Sequence, residues 1–248
     1  MKQILCTAHP DTIPEFFLAN SHLPDSILHL PLESYHYEVD EEMHNQVERK
    51  LDHFAYVIHG SRLHARYFMR WVFEYGQLDR VKQLVHLVMD EPTATFLEEN
   101  NIPAIKPRDN ARPIDLIEFL LRISHEGTVL YPSGEQKTDE IPGLLIELEM
   151  PFVEFQLFSE ESLDREKLDV YRSRVKNADI VGILFHNESA IVRVKTAFPK
   201  IDLSALTLIS IGGRVSRKFL QMGYKGVLDA KGCWNNVQEI VNRLVKSS

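Results

Sequence analysis

Two histidines stand at the same point of two similar patterns, directly after an apolar run. His59 follows Tyr56-Val57-Ile58 and precedes Gly60, whereas His186 follows Leu184-Phe185. Short apolar runs of this kind are typical of strands buried on both faces, and the small or polar residues behind them favour a helix start. Histidine titrates near neutrality, so either side chain is a candidate general acid. The alternative is that each histidine only caps its turn.

A second pair of similar turns follows later in each half of the chain. Met89-Asp90-Glu91-Pro92-Thr93 lies in the first half, and Ile211-Gly212-Gly213-Arg214-Val215-Ser216 lies in the second. The free N–H groups of a helix N-terminus bind carboxylates and phosphates without needing a basic side chain. We therefore expect these turns to receive an anionic ligand, with Arg214 adding positive charge at one of them.

The elements that position these residues alternate between strand and helix along the chain. In the second half the pattern predicts strands over 180–185 and 206–211 and helices over 188–198 and 216–222. Such alternation predicts parallel sheets covered by helices on both sides. Because the order of the motifs repeats, we predict two similar α/β units whose turns line a cleft for a small molecule.

Composition excludes several functional classes. The hydrophobic fraction is 44%, the charged fraction is 26%, and the net charge is −8, which argues against a general nucleic-acid binder. Local basic groups, such as Arg62, Arg66 and Arg70, remain compatible with a small anion. No apolar run approaches the length of a membrane span, and the first residues do not resemble a signal peptide. We therefore expect a cytoplasmic protein without membrane or nucleic-acid partners.

The spacing of the cysteine, histidine and glycine residues argues against several other kinds of site. Cys6 and Cys233 form no disulfide framework, and Cys6 and His9 lack the partner pair of a metal site. The run Ile211-Gly212-Gly213 lacks the glycine spacing of a dinucleotide-binding loop. We therefore expect neither a metal site nor a dinucleotide-binding loop.

The motifs together resemble the uroporphyrinogen-III synthase family over nearly the whole chain. Ile58-His59-Gly60 and Phe185-His186-Asn187 stand where that family has a strand ending in Phe-Thr-Ser before a helix, once per domain. Other stretches match the family in order and with compatible spacing: Met89–Thr93, Leu130-Tyr131-Pro132-Ser133-Gly134-Glu135, Val153-Glu154-Phe155-Gln156 and Ile211–Val215.

The resemblance implies two flavodoxin-like or Rossmann-like domains with parallel sheets, one inserted in the other. The first domain would comprise residues 1–33 and 159–248, and the inserted second domain residues 34–158. Two extended segments, near Glu33–Val39 and Phe155–Glu160, would link them. The implied activity is the cyclisation of hydroxymethylbilane to uroporphyrinogen III, with inversion of ring D and loss of water, in haem biosynthesis. The family uses no metal or cofactor, and it suggests a monomer.

The candidate site follows from the motifs and from this resemblance. Thr93, His59 and His186 are the catalytic candidates. The expected substrate-binding residues lie at the strand-to-helix turns and on the strand that leaves the second domain: Gly60, Ser61, Thr93, Ser133, Gly134, Phe155, Asn187, Ser189, Gly213, Arg214 and Ser216.

Three positions depart from the family pattern. Phe155 stands where the family has a tyrosine suggested as proton donor, Asp90 replaces a glycine, and Val215 replaces a threonine beside Ser216. These departures keep two alternatives open. One is a synthase-like protein that binds a small anionic ligand without catalysis, and the other is a two-domain receptor for a small acid.

Overall fold

The computed structural model describes residues 1–13, 17, 26–108, 112–123, 127–135, 140–161 and 163–246. The chain folds into two compact units. Unit 1 comprises Met1–Ser34 and Glu161–Ser248, and unit 2 comprises Tyr35–Glu160. In the part of the chain that is described, no helix is long and apolar enough to cross a bilayer.

The described strands and helices alternate as the sequence predicts. The strands are β1 (Lys2–Cys6), β2 (Ile27–His29), β3 (Ser34–Tyr37), β4 (Phe54–His59), β5 (Val85–Val88), β6 (Ala104–Ile105), β7 (Thr128–Gly134), β8 (Phe152–Glu161), β9 (Asp179–Phe185), β10 (Thr207–Ser210) and β11 (Leu228–Asp229). The helices are α1 (Glu41–Lys50), α2 (Arg62–Glu74), α3 (Leu78–Val81), α4 (Glu91–Glu99), α5 (Pro113–Ile123), α6 (Glu140–Glu147), α7 (Arg165–Asn177), α8 (Glu188–Ala197), α9 (Gly213–Gln221) and α10 (Trp234–Lys246). Short 3-10 turns cover Pro10–Thr12, Leu51–His53 and Leu203–Ala205.

The sheet of unit 1 has the strand order β2-β1-β9-β10-β11, with parallel pairing throughout. Counted within the unit, this is the 2-1-3-4-5 order of flavodoxin-like folds. Successive residues of β9 alternate between two cores, because Ile183 and Phe185 pack on one face of the sheet and Leu184 on the other. The continuous apolar run at 180–185 therefore reflects a strand covered on both faces, as the sequence predicts.

The sheet of unit 2 has the order β3-β8-β7-β4-β5-β6, and the pairs from β8 to β6 are parallel. It too is covered on both faces, with Val57 and Leu130 in one core and Ile58 and Tyr131 in the other. The predicted α/β class with parallel sheets is therefore confirmed. The two segments expected to be extended lie at β3 and in β8, and the Glu38 N–H donates to the Leu157 carbonyl at 3.0 Å.

Each sheet contains a point at which the strand order reverses direction along the chain. In unit 1 this switch point lies between β1 and β9, and in unit 2 it lies between β4 and β7. At such a point the flanking helices leave toward opposite faces, which opens a crevice beyond the carboxyl ends of the strands. His186 follows β9, and His59 ends β4, so each unit carries one of the two histidines at its switch point.

Candidate functional site

His59 is completely buried at the end of β4, and its hydrogen bonds define its protonation. Its Nε2 lies 3.0 Å from His86 Nδ1, and His86 Nε2 lies 3.0 Å from the Val81 carbonyl oxygen. Because that carbonyl can only accept, His86 carries its proton on Nε2 and accepts at Nδ1. His59 therefore donates from Nε2, and its Nδ1 lacks a hydrogen-bond partner among the described residues.

Burial keeps both rings neutral. It is the main reason why the pKa of His59 lies well below the usual value, with nearby His86 and His64 lowering it further. Burial also lowers the pKa of His86 to about 4. This observation corrects the expectation that His59 titrates near neutrality, because its surroundings disfavour the imidazolium form.

Gly60 and Ser61 connect β4 to α2, and Gly60 packs against the side chains of Tyr131 and His64. A methyl group added to Gly60 would lie 2.6 Å from Tyr131 Oη and 2.8 Å from His64 Nδ1. Ser61 is the N-cap residue of α2, yet its side chain accepts no capping hydrogen bond and lies 3.4 Å from His64 Nδ1. The first N–H groups of α2 are therefore left without a side-chain acceptor.

The next three predicted site residues, Ser133, Gly134 and Phe155, lie on β7 and β8 and differ in what their side chains contact. Ser133 is buried, and its Oγ lacks a hydrogen-bond partner within the described part of the chain. Gly134 lies directly against the Phe158 ring, which leaves no space for a side chain. Phe155 is fully buried and packs edge-on against Trp71, with ring centroids 5.1 Å apart. Its side chain therefore contacts the core of unit 2, which corrects the expectation that it lines a binding surface.

Both carboxylates in the turn before α4 bind other groups of unit 2. Asp90 caps the helix, because its Oδ1 accepts from the Thr93 N–H at 2.8 Å, and Glu91 forms an ion pair with Lys106. Thr93 itself is fully buried, and its Oγ1 lacks a hydrogen-bond partner among the residues described. The departure at Asp90 thus has a local reason, since a carboxylate is a favourable N-cap.

In unit 1, His186 belongs to a cluster around a buried carboxylate. Asn187 Oδ1 accepts from the Ala190 N–H at 2.7 Å, which leaves Asn187 Nδ2 to donate to His186 Nε2 at 2.8 Å. Glu33 Oε1 lies 3.0 Å from the same Nε2 and accepts from Arg193 Nη1 at 2.5 Å. The other ring nitrogen, Nδ1, is buried and lacks a hydrogen-bond partner among the described residues.

The turn between β10 and α9 contains a short chain of hydroxyl groups. Ser210 Oγ lies 2.5 Å from Ser216 Oγ, and Ser216 donates to Asp229 Oδ2 at 2.9 Å. Gly213 and Arg214 are exposed, and Arg214 Nε lies 3.6 Å from Glu188 Oε1. Ser216 is therefore held by Asp229, whereas Gly213 and Arg214 lie at the accessible surface of unit 1.

Ser189 lies exposed in the first turn of α8, and that helix differs from α9 in its capping. Asn187 caps α8, whereas the N-cap residue of α9 is Gly212, which has no side chain to accept a hydrogen bond. Unit 2 shows the same division, because Asp90 caps α4 and Ser61 leaves α2 without a side-chain acceptor. Each unit therefore has one of these helix N-termini free of a side-chain cap.

Sequence reasoning missed several polar residues that the fold brings to these turns. Glu33 reaches His186 from a distant position in the sequence, Arg193 of α8 binds Glu33, and Asp229 reaches Ser216 from β11. His64 lies three residues after Ser61, the N-cap residue of α2, so its spacing from that turn was a signal that could have identified it. Among the described residues, no group of three or more His, Cys, Asp or Glu side chains is arranged to hold a metal ion.

Comparisons with known proteins agree on one family. The family model described as uroporphyrinogen-III synthase HemD matches residues 26–232. The chain is similar in structure to uroporphyrinogen-III synthetase from Helicobacter pylori, with a TM-score of 0.65, 16% identity, and 98% of this chain and 100% of that chain covered. A mutant uroporphyrinogen III synthase from the extremely thermophilic bacterium Thermus thermophilus gives a TM-score of 0.63 at 13% identity, with both chains covered completely. No curated protein matches the chain in sequence.

Proposed function

Because the chain belongs to the uroporphyrinogen-III synthase family, we propose that it closes hydroxymethylbilane to uroporphyrinogen III, with inversion of ring D and loss of water. Enzymes of this family are cyclising lyases of haem biosynthesis. The observation that carries the proposal is the family match over residues 26–232, which includes the strand-to-helix turns of both units.

The helix N-termini without side-chain caps are the proposed receptors for substrate carboxylates. In unit 2 the helix N-terminus without a side-chain cap follows Gly60 and Ser61 at the start of α2, and in unit 1 it follows Gly212 at the start of α9. A carboxylate bound there is favoured by the hydrogen bonds and by the helix dipole. Arg214 adds a positive charge beside the second of these turns.

The chemistry requires proton transfer and positioning. The hydroxyl group of the substrate must be protonated as it leaves, and the resulting azafulvene-type cation must be kept from water until a pyrrole carbon attacks it. We propose His186 Nδ1 and Thr93 Oγ1 as donors that contact the substrate, since both atoms are buried and lack a hydrogen-bond partner within the described residues. Ser133, Asn187, Ser189 and Ser216 would position the substrate, while neutral His59 shapes the turn beneath it.

We further propose that the protein acts as a cytoplasmic monomer. Both cysteines are free thiols, which is typical of a reducing compartment. Burial raises the pKa of Cys6 to about 12, so this thiol stays protonated and unreactive at neutral pH. Light scattering at micromolar concentration should give the mass of one 28.7 kDa chain, and a mass of two chains would contradict the monomer.

The test of the activity is the isomer composition of the product. Hydroxymethylbilane is generated in place by its own synthase, the protein is added, and the oxidised porphyrins are separated. We expect isomer III in excess over isomer I, which forms spontaneously. Isomer I alone, from protein that is folded by circular dichroism, would contradict catalysis and favour the non-catalytic binding protein.

A further inference from the structure

Ser61 occupies the N-cap position of α2 without capping the helix. Its backbone is extended, as an N-cap residue requires, yet its side chain accepts no hydrogen bond from the first turn of α2. The polar N-cap residues of four other helices do accept one, at 2.7–2.8 Å from the N–H three residues later: Asp40, Asp90, Asp164 and Asn187. Serine at position 61 therefore favours a cap that the structure does not contain.

The side chain of His64 engages the Ser61 hydroxyl instead. In a capped helix Ser61 Oγ would accept from a backbone N–H of the first turn, such as that of His64. Here Ser61 Oγ lies 3.4 Å from the side-chain Nδ1 of His64. The buried His64 ring packs against the rings of Tyr131 and Phe158, with centroids 6.0 and 5.4 Å apart. Because these rings hold the imidazole in place, Nδ1 stays beside the Ser61 hydroxyl.

The start of α2 lies at the switch point of unit 2, where a buried hydroxyl also lacks a partner. Ser133 belongs to β7, which pairs in parallel with β4, the strand that leads to Gly60. Its side chain is buried, and its Oγ has no hydrogen-bond partner within the described residues. Ser61 is only half-buried, so a ligand can reach this turn from solvent. A ligand bound here can complete the hydrogen bonds of the helix start and of Ser133.

We propose that His64 is a positioning residue that keeps Ser61 from capping α2, so that the helix start stays open to a carboxylate of the substrate. This inference rests on the proposed function, in which that helix start receives a substrate carboxylate. His64 acts through Ser61 and does not contact the substrate. Without Nδ1, the Ser61 hydroxyl turns to accept from the first turn of α2, and the cap then competes with the carboxylate for the same N–H groups.

The central test is His64→Phe, which keeps an aromatic ring and removes Nδ1, made in the wild type and in Ser61→Ala. In the wild type we expect KM to rise about two- to fivefold, the effect of a charge at a helix terminus, while kcat changes less than about twofold. In Ser61→Ala the same change should leave KM unaltered, since no hydroxyl remains to cap the helix. An equal rise in both backgrounds would overturn the inference, because His64 would then act independently of Ser61.

Ser61→Asp closes the same helix start by a route that does not depend on His64. Aspartate is a strong N-cap and adds a negative charge, so the urea midpoint of unfolding should rise while KM rises about fivefold or more. Ser173→Asp makes the same change at an exposed position of α7 and should leave KM unaltered. A higher urea midpoint with wild-type KM in Ser61→Asp would overturn the inference, because the helix start would then not receive the substrate.

Binding measured without turnover separates failure of this inference from failure of the proposed function. Uroporphyrin III, the oxidised polycarboxylate product, is titrated against each variant by porphyrin fluorescence, and we expect Kd to follow the same pattern as KM. Isomer I alone from the wild type would overturn the proposed catalysis, while these titrations would still test the role of Ser61. Equal Kd in the wild type, His64→Phe and Ser61→Asp would overturn the inference, whatever the activity.

Discussion

The carboxyl edges of the two sheets carry different chemistry, although their turns follow the same order. In unit 2 the buried atoms His59 Nδ1, Thr93 Oγ1 and Ser133 Oγ lack hydrogen-bond partners within the described residues, as do Thr7 Oγ1 and His186 Nδ1 in unit 1. In unit 1 the corresponding turns contain charges that bind one another, with Glu33 between Arg193 and His186.

The two units thus show two roles for buried polar groups, namely stabilising the fold and binding a ligand. A buried carboxylate must be paired with a cation and with hydrogen-bond donors, so the groups around Glu33 stabilise the fold of unit 1. A buried hydroxyl without a partner lowers stability, and such a group persists where a ligand completes its hydrogen bonds. Substitutions at the Glu33–Arg193 pair of unit 1 should therefore change stability first, whereas those at the unpartnered hydroxyls of unit 2 should change activity first.

The largest effect on stability is expected at Arg193. Arg193→Met removes the cation that lies 2.5 Å from Glu33 Oε1, while the Glu33 side chain is only 1% exposed. Removing one partner of a buried ion pair costs about 3 kcal/mol, since the remaining charge is poorly solvated. The free energy of unfolding in urea should fall by that amount. Arg174→Met, at an exposed position of α7, is the control. An equally small loss of unfolding free energy in both variants would show that the Glu33–Arg193 pair does not stabilise unit 1.

The histidine pair of unit 2 should make stability depend on pH. His59 and His86 are held neutral in the folded protein by burial, whereas in the unfolded chain they take up protons below about pH 6.5. The unfolded state therefore binds more protons, and the free energy of unfolding falls as the pH decreases from about 6.5 toward the folded-state pKa, which is about 4 for His86. Each group contributes up to about 1.4 kcal/mol per pH unit in its window.

His86→Gln removes one of the two titrations and isolates this contribution. The slope of unfolding free energy against pH, measured by urea denaturation between pH 4.5 and 6.5, should become shallower than in the wild type. His53→Gln, at an exposed position in the same unit, should leave the slope unchanged. Identical slopes in the wild type and His86→Gln would show that the pair does not control the pH response.

The fold could be predicted from the sequence more completely than the site. Runs such as 180–185 specify strands buried on both faces, because apolar residues without alternation require cover on each side. The helix expected over 216–222 instead begins at Gly213, because the two glycines that indicate a loop also fit the uncapped first turn of a helix. Boundaries of this kind depend on local backbone geometry that residue types do not determine.

The site depended on contacts between residues that are distant in the sequence. Nothing near His186 in the sequence indicates that Glu33 will contact it or that Arg193 will bind Glu33. His59 illustrates the same difficulty, since its residue type predicts titration near neutrality while its burial beside His86 prevents it. Phe155 was assigned by its place in a motif, but strand alternation directs its ring toward Trp71. Sequence patterns locate the turns, whereas burial and tertiary partners decide what each side chain can do.

Two substitutions with smaller effects should change the free energy of unfolding in opposite directions. Thr93→Val removes a buried hydroxyl without a partner in the described residues, so unfolding should require about 1 kcal/mol more while activity falls about tenfold. Ser216→Ala removes the donor to Asp229 Oδ2, so stability should fall by about 1 kcal/mol. Urea unfolding and the isomer III assay, run on both variants, give the two quantities. A loss of stability in Thr93→Val would show that its hydroxyl already has a partner.

The smallest expected effect is at Arg214, beside the uncapped start of α9. Its side chain is 59% exposed, so it should contribute to anion binding without contributing to stability. A charge near a helix terminus changes binding by about 0.3–1 kcal/mol at low ionic strength, which corresponds to a rise in KM of about two- to fivefold in Arg214→Gln. Because salt screens exposed charges, the difference should vanish near 1 M salt. Arg174→Gln makes the same change of charge on α7 and should leave KM unaltered, so an equal rise in both variants would assign the effect to net charge rather than to this turn.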